Sequence, residues 1–154
     1  MENLPVAATA MLIRKPVAAV FEAFTDPAIT TQFWFTDSTG KLEKGKRVHW
    51  IWSMYNHTSL VDVVDMVPSK KIEITWGSAE NDRTRVEWKF EEHSADTTFV
   101  QITCNGFKGD QQQILQQVAD TTGGFCWVLA GLKAWLEFGI RLNLVADRFP
   151  AGKK

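Results

Sequence analysis

From Val48 the chain alternates, with Val48, Trp50, Trp52 and Met54 on one side and His49, Ile51, Ser53 and Tyr55 on the other. A period of two marks a strand with one face against a core. The pattern returns over 71–76, where Ile72, Ile74 and Trp76 oppose Glu73 and Thr75. Over 84–91 it sets Val86, Trp88 and Phe90 against Arg85, Glu87, Lys89 and Glu91, and over 98–107 it places Val100, Ile102 and Cys104 on one face. Residues 58–67 read as a further strand, and residues 9–14 as a first one that stops before Pro16. Polar or turn-forming stretches separate these runs: Gly40 to Gly45, Pro68-Ser69-Lys70, 77–83 and 92–97. Connections this short predict antiparallel pairing.

Elsewhere the period is helical. Lys15-Pro16 opens a short helix with Val17, Val20, Phe21 and Phe24 on one side, and Asp26-Pro27 starts a second that ends near Phe33. Gly109-Asp110 caps another short helix reaching about Ala119. A long amphipathic helix then occupies 121–139, where Phe125, Leu129, Leu132 and Leu136 recur at three- and four-residue steps, widened by Val128 and Trp135. Gly123 and Gly124 would each cost about 1 kcal/mol relative to alanine inside a helix, which places them at a junction of helices or a close backbone approach. The tail is expected to pack through Leu142, Leu144, Val145 and Phe149 before fraying at the terminal lysines. The predicted fold is α+β: a curved antiparallel sheet of six to seven strands around a long carboxy-terminal helix, with two short helices after the first strand, in one domain over 1–154.

Composition narrows the function classes. The 154 residues are 45% apolar and 23% charged, with a net charge of −1, so no general attraction to nucleic acid is expected. No apolar run approaches the roughly 20 residues of a membrane span, and the amino terminus lacks a basic start followed by an apolar core. The expected location is the cytoplasm. Cys104 and Cys126 lie in apolar settings without paired spacing, which fits small core residues in a reducing compartment.

The order of elements, together with LIRKPVAAVFEAFTDPAITTQFW near the start and GGFCWVLAGLKAWLEFG near the end, resembles the START-like, or SRPBCC, superfamily. Within it, the chain is most similar to the activators of ninety-kilodalton heat-shock protein ATPase homologues, over residues 7–149. The resemblance implies a helix-grip fold with a cavity between the curved sheet and the last helix. Superfamily members include lipid carriers, aromatic-polyketide cyclases, antibiotic-sequestering proteins and chaperone regulators, so function is left open. No catalytic motif of the family carries over residue by residue.

The aromatic residues carry the functional expectation. Trp50, Trp52, Trp76 and Trp88 fall on predicted inward strand positions, with Trp34 nearby. Singly, each is a core residue; together, seven tryptophans in 154 residues exceed what a packed core of this size requires. Rigid rings with a polar edge suit a pocket wall. The expected lining is Phe24, Trp34, Trp50, Trp52, Met54, Trp76, Trp88, Phe125, Leu129 and Leu132, with Tyr55 or Asn105 orienting a ligand. Asp62 shares an alternation face with Leu60, Val64 and Met66, so it either presents a carboxylate to the interior or is left wet by a bulge or edge. His49, His57 and His93 lack metal-ligand spacing, no nucleotide or hydrolase motif occurs, and no metal or cofactor is expected.

Three functions follow from this reading. The first is a non-catalytic module that holds a small hydrophobic or aromatic ligand between sheet and helix. The second, suggested by the resemblance, is a co-chaperone-like module with a protein partner, although the chain lacks the added amino-terminal module of the eukaryotic activators. The third is a cyclase- or hydrolase-like enzyme using a cavity carboxylate.

Overall fold

The computed structural model describes residues 5–151; the expected fraying of Lys153 and Lys154 lies outside them. Strand β1 (Ala7–Ile13) is followed by helices α1 (Val17–Thr25) and α2 (Pro27–Thr30), which carry the chain across the sheet to the short edge strand β2 (Asp37–Ser38). From there β3 (Arg47–Trp52), β4 (His57–Val67), β5 (Lys71–Gly77), β6 (Thr84–Ser94) and β7 (Thr97–Asn105) return strand by strand until β7 pairs with β1. The result is one seven-stranded antiparallel sheet in the order β1-β7-β6-β5-β4-β3-β2. The long helix α3 (Gln111–Phe138) and the single turn α4 (Leu144–Arg148) complete the described chain.

Alternation drives the sheet as expected. Val48, Trp50, Val61, Val63, Ile72, Ile74, Val86, Trp88, Val100, Ile102 and Cys104 all point inward and are buried. The opposite face carries ion pairs, among them Arg85 to Glu73 at 2.6 Å and Arg47 to Asp62 at 2.7 Å. Against the inner face α3 lays Phe125, Val128, Leu129 and Leu132, each at most 4% exposed. This is a helix-grip arrangement, and its centre is filled by side chains.

Residues 111–138 form one helix rather than two. Asp110 accepts a hydrogen bond from the Gln113 amide and Gln113 Oε1 accepts one from the Asp110 amide, each at 2.8 Å, so a reciprocal capping box starts the helix. It then runs through Gly123 and Gly124, where an added Cβ would meet open space. The close approach belongs to Gly131, whose Cβ would lie 3.2 Å from the Phe33 carbonyl oxygen. Gly139 ends the helix in the left-handed conformation at φ 66°.

Met54 departs from its expected inward position. Alternation stops at Trp52, because Ser53–Tyr55 form a 3-10 turn closed by Asn56 at φ 49°, and Met54 is left exposed. Asp62 also departs. Its cross-strand neighbours Arg47 and Thr75 lie on the outer face, and a bulge between Val63 and Asp65 shifts the phase of β4. Met66 faces Ile72 inside only after that bulge, so counting back from Met66 by twos puts Asp62 on the wrong face. The inward positions before the bulge are Ser59, Val61 and Val63.

Candidate functional site: an aromatic pocket at one end of the grip

Trp34 directly follows the turn that closes α2, where its amide donates to the Thr30 carbonyl at 3.0 Å. Its ring is the hub of an aromatic cluster, with centroids 4.9 Å from Trp50, 5.9 Å from Trp76, 6.1 Å from Trp52 and 5.8 Å from Phe125. The angles between planes are mostly steep, which sets positive ring edges against negative faces. Phe35 stacks on Trp50 at 4.8 Å, and Phe24 lies 5.8 Å from Trp88.

On one side the cluster merges with the solid core; on the other it borders a pocket of about 590 Å³. Trp34, Trp52, Trp76 and Phe125 form its floor. Gly124, Trp127 and Val128 of α3 form one side, Tyr55 from the 3-10 turn another, and Val145, Arg148 and Phe149 close it from the tail. The rim is polar, with exposed His57, Asp82 and Asp120.

The polar groups of the wall are held in place. The Trp76 indole N–H donates to Thr84 Oγ1 at 3.0 Å, fixing the ring. Asp82 accepts from the amides of Ala79 and Ser78 at 2.9 and 3.1 Å, which shapes the β5–β6 loop. The Gln116 side-chain amide donates to Asp120 at 2.9 Å. The site therefore offers apolar, mainly aromatic surface with hydroxyl and carboxylate groups at its margin. Among the described residues no group of three or more His, Cys, Asp or Glu side chains is arranged to hold a metal ion.

Of the residues expected to line a cavity, Trp34, Trp52, Trp76 and Phe125 do so. Phe24, Trp50, Trp88, Leu129 and Leu132 are packed core instead, each at most 2% exposed, because the grip is tight along most of its length. Trp50 meets the rings of Trp34, Phe35 and Trp76, while Trp88 reaches Phe125 of α3 at 6.1 Å. Met54 lies outside the pocket. Asp62 sits on the outer face, bonded to Arg47 and, at 2.8 Å, to Arg83; the Arg47 hydrogen bond foremost holds its carboxyl below the usual range. Tyr55 is in the wall, whereas Asn105 is not. Val145 and Phe149 were expected only as tail packing and Arg148 was not expected at all; no motif signals the three as pocket residues, and Tyr55, whose hydroxyl receives the tail, is the one sequence feature that bears on their placement.

A curved antiparallel sheet closed on a long carboxy-terminal helix, with a pocket at one end of the contact, defines a START-like protein. The chain belongs to the family described as activator of Hsp90 ATPase homolog 1-like protein, whose model matches residues 14–137. Among solved structures it is similar to a protein from Staphylococcus saprophyticus, at 28% identity and a TM-score of 0.74, covering 89% of this chain and 95% of that one. The Aha1 dimer from Colwellia psychrerythraea shares the fold at 18% identity and a TM-score of 0.73, over 87% and 97% of the two chains. An HSP90 activator from Plasmodium falciparum does so at 16% and 0.69, over 89% and 97%. Among curated proteins nothing matches. No helix among the described residues is long and apolar enough to cross a membrane.

Proposed function

We propose that this protein binds, without transforming it, a small hydrophobic or aromatic molecule in the pocket floored by Trp34, Trp52, Trp76 and Phe125. The observation that carries the reading is the pocket itself: about 590 Å³ of space bordered by an aromatic cluster, in the size range of small-molecule sites. Burying apolar ligand surface there contributes about 25 cal/mol per Å², less the cost of immobilising the ligand, so micromolar affinity, about −8 kcal/mol, is within reach. The two unpaired cysteines, one of them buried, fit a cytoplasmic setting.

A co-chaperone-like role is the second reading, favoured by relatives described as HSP90 activators and by the exposed apolar side chains of Phe138 at the end of α3 and of Ile140 and Leu142 just after it. The carboxylate-enzyme reading loses its residue, since Asp62 faces outward.

Gly124 supplies the test. It lines the pocket, and a side chain added there enters open space, so Gly124→Leu plugs the pocket from a helix position that favours leucine over glycine. With N-phenyl-1-naphthylamine as the probe, the wild type is expected to bind saturably, and Gly124→Leu to weaken binding at least about tenfold without lowering the melting temperature. Equal affinity in both proteins would remove the pocket as the binding site.

A further inference from the structure

The pocket opens to solvent at a rim that includes the β5–β6 loop, and of the four walls below that rim one differs from the other three in how it is held. The pocket floor belongs to the interlocked aromatic cluster, and its sides to α3 and to the turn between two paired strands. The fourth wall, residues 140–149, has no strand partner: it leaves α3 through Gly139, passes exposed Ile140 and Leu142, turns at Asn143 with φ 55°, and forms only the five-residue α4.

A helix this short leaves its last carbonyls without internal partners. The Tyr55 hydroxyl supplies one. It donates to the Val145 carbonyl, lies 3.3 Å from the Ala146 carbonyl, and accepts a hydrogen bond from the Phe149 amide at 3.3 Å. Among the described residues, every hydrogen bond from 141–151 to the rest of the protein runs to this one oxygen, and no ion pair joins them. The remaining attachment is apolar: Val145 against the core and the Phe149 ring 6.2 Å from that of Tyr55; within the tail the Arg148 guanidinium carbon lies 4.4 Å from the Phe149 ring centroid.

We infer that Tyr55 sets the size limit of the pocket, by latching residues 140–149 as the one wall that an oversized ligand can displace. The inference rests on the pocket being a ligand site and adds to it a specificity-determining residue. A compact ligand fits beneath the closed wall, so its binding does not oppose the latch. A ligand longer than the pocket gains its full contact only after the wall lifts, and its affinity is reduced by the fraction of molecules in which the latch is broken. Removing the phenolic oxygen raises that fraction and should favour long ligands selectively.

Tyr55→Phe keeps the ring and removes only the oxygen. Two neutral aromatic probes report on it: compact N-phenyl-1-naphthylamine and rod-shaped 1,6-diphenylhexatriene. The wild type is expected to prefer the compact probe, and the variant to narrow that preference by about fivefold, the worth of one hydrogen bond of ordinary strength. Hydrogen exchange of the variant should show faster exchange at the amides of 147–149 and none of that acceleration in β6. An unchanged ratio of affinities, or unchanged exchange at 147–149, would overturn the latch while leaving the pocket intact as a site. Failure of the wild type to bind either probe would instead overturn the pocket, and the size limit with it. A general loosening of the fold would accelerate exchange in β6 as well, and would count against a local latch.

Discussion

The Trp76 ring of β5 lies 5.8 Å from the Phe125 ring of α3 with the two planes 24° apart, so sheet and helix meet ring on ring at the pocket floor. Trp76 is only half-buried, whereas Trp50, two strands away on the same inner face, is 1% exposed. The two residues should therefore respond differently to truncation. Trp50→Ala removes a core ring and is expected to cost about 3–5 kcal/mol of stability. Trp76→Ala should cost less than Trp50→Ala and weaken probe binding about tenfold, since it removes a wall. Denaturant unfolding and probe titration on both variants separate wall from core.

The same substitution should act with opposite signs at two positions of α3. Gly123→Ala adds a methyl group into open space within a helix, and is expected to stabilise by about 0.5–1 kcal/mol. Gly131→Ala pushes a Cβ to 3.2 Å from the Phe33 carbonyl oxygen and 3.3 Å from the Phe33 Cβ, in a segment whose backbone the turn after α2 holds in place. It should lower the melting temperature. A rise at both positions would show that the Phe33 segment yields freely.

Glu137 joins the end of α3 to β1. Its carboxylate accepts from the Arg14 amide at 3.0 Å and from Lys133 Nζ at 2.7 Å, while Lys133 also donates to the Leu12 carbonyl at 2.8 Å. Burial pushes the Glu137 carboxyl up, but the Arg14 amide, Lys133 and the Arg14 charge together hold it below its ordinary value of 4.5. A carboxyl with a depressed folded-state pKa contributes stability that is present above the unfolded value and lost as pH falls through the folded one. Glu137→Gln is thus expected to be less stable than the wild type near neutrality, with the difference shrinking as the pH drops below about 4.5. Melting temperatures of both proteins between neutral and acidic pH measure this directly; a gap that widens on acidification would contradict the assignment.

How far these features could be read from sequence depended on whether a residue's role was set by its neighbours in the chain. Val86, Trp88 and Phe90 alternate without interruption, and their strand stands where the pattern put it. Phe125, Leu129 and Leu132 likewise define the buried face of α3. Its first turns were read as a separate helix because residues 111–120 are largely polar and bury nothing fully, so no periodic face linked them to the rest across Gly123 and Gly124. Asp62 and Met54 were misplaced for a shared reason: a bulge in β4 shifts the alternation and the 3-10 turn at Ser53–Tyr55 ends it, in neither case with a distinctive residue at the point of change. The pocket's fourth wall was the least legible part. Val145, Arg148 and Phe149 acquire their place only when the tail returns to Tyr55, about 90 residues earlier in the chain, and no periodicity encodes that return.

The central claim, that a small apolar ligand occupies the aromatic pocket at the end of the grip, can be tested with the protein's own seven tryptophans as position markers. In a nitrogen-15 correlation spectrum each indole N–H gives its own signal. Titration with N-phenyl-1-naphthylamine should shift the signals of Trp34, Trp52, Trp76 and Trp127, which line the pocket, and leave those of Trp88 in the core and Trp135 further along α3 in place. A saturating titration that moves only Trp88 or Trp135, or that moves no indole signal at all, would contradict it.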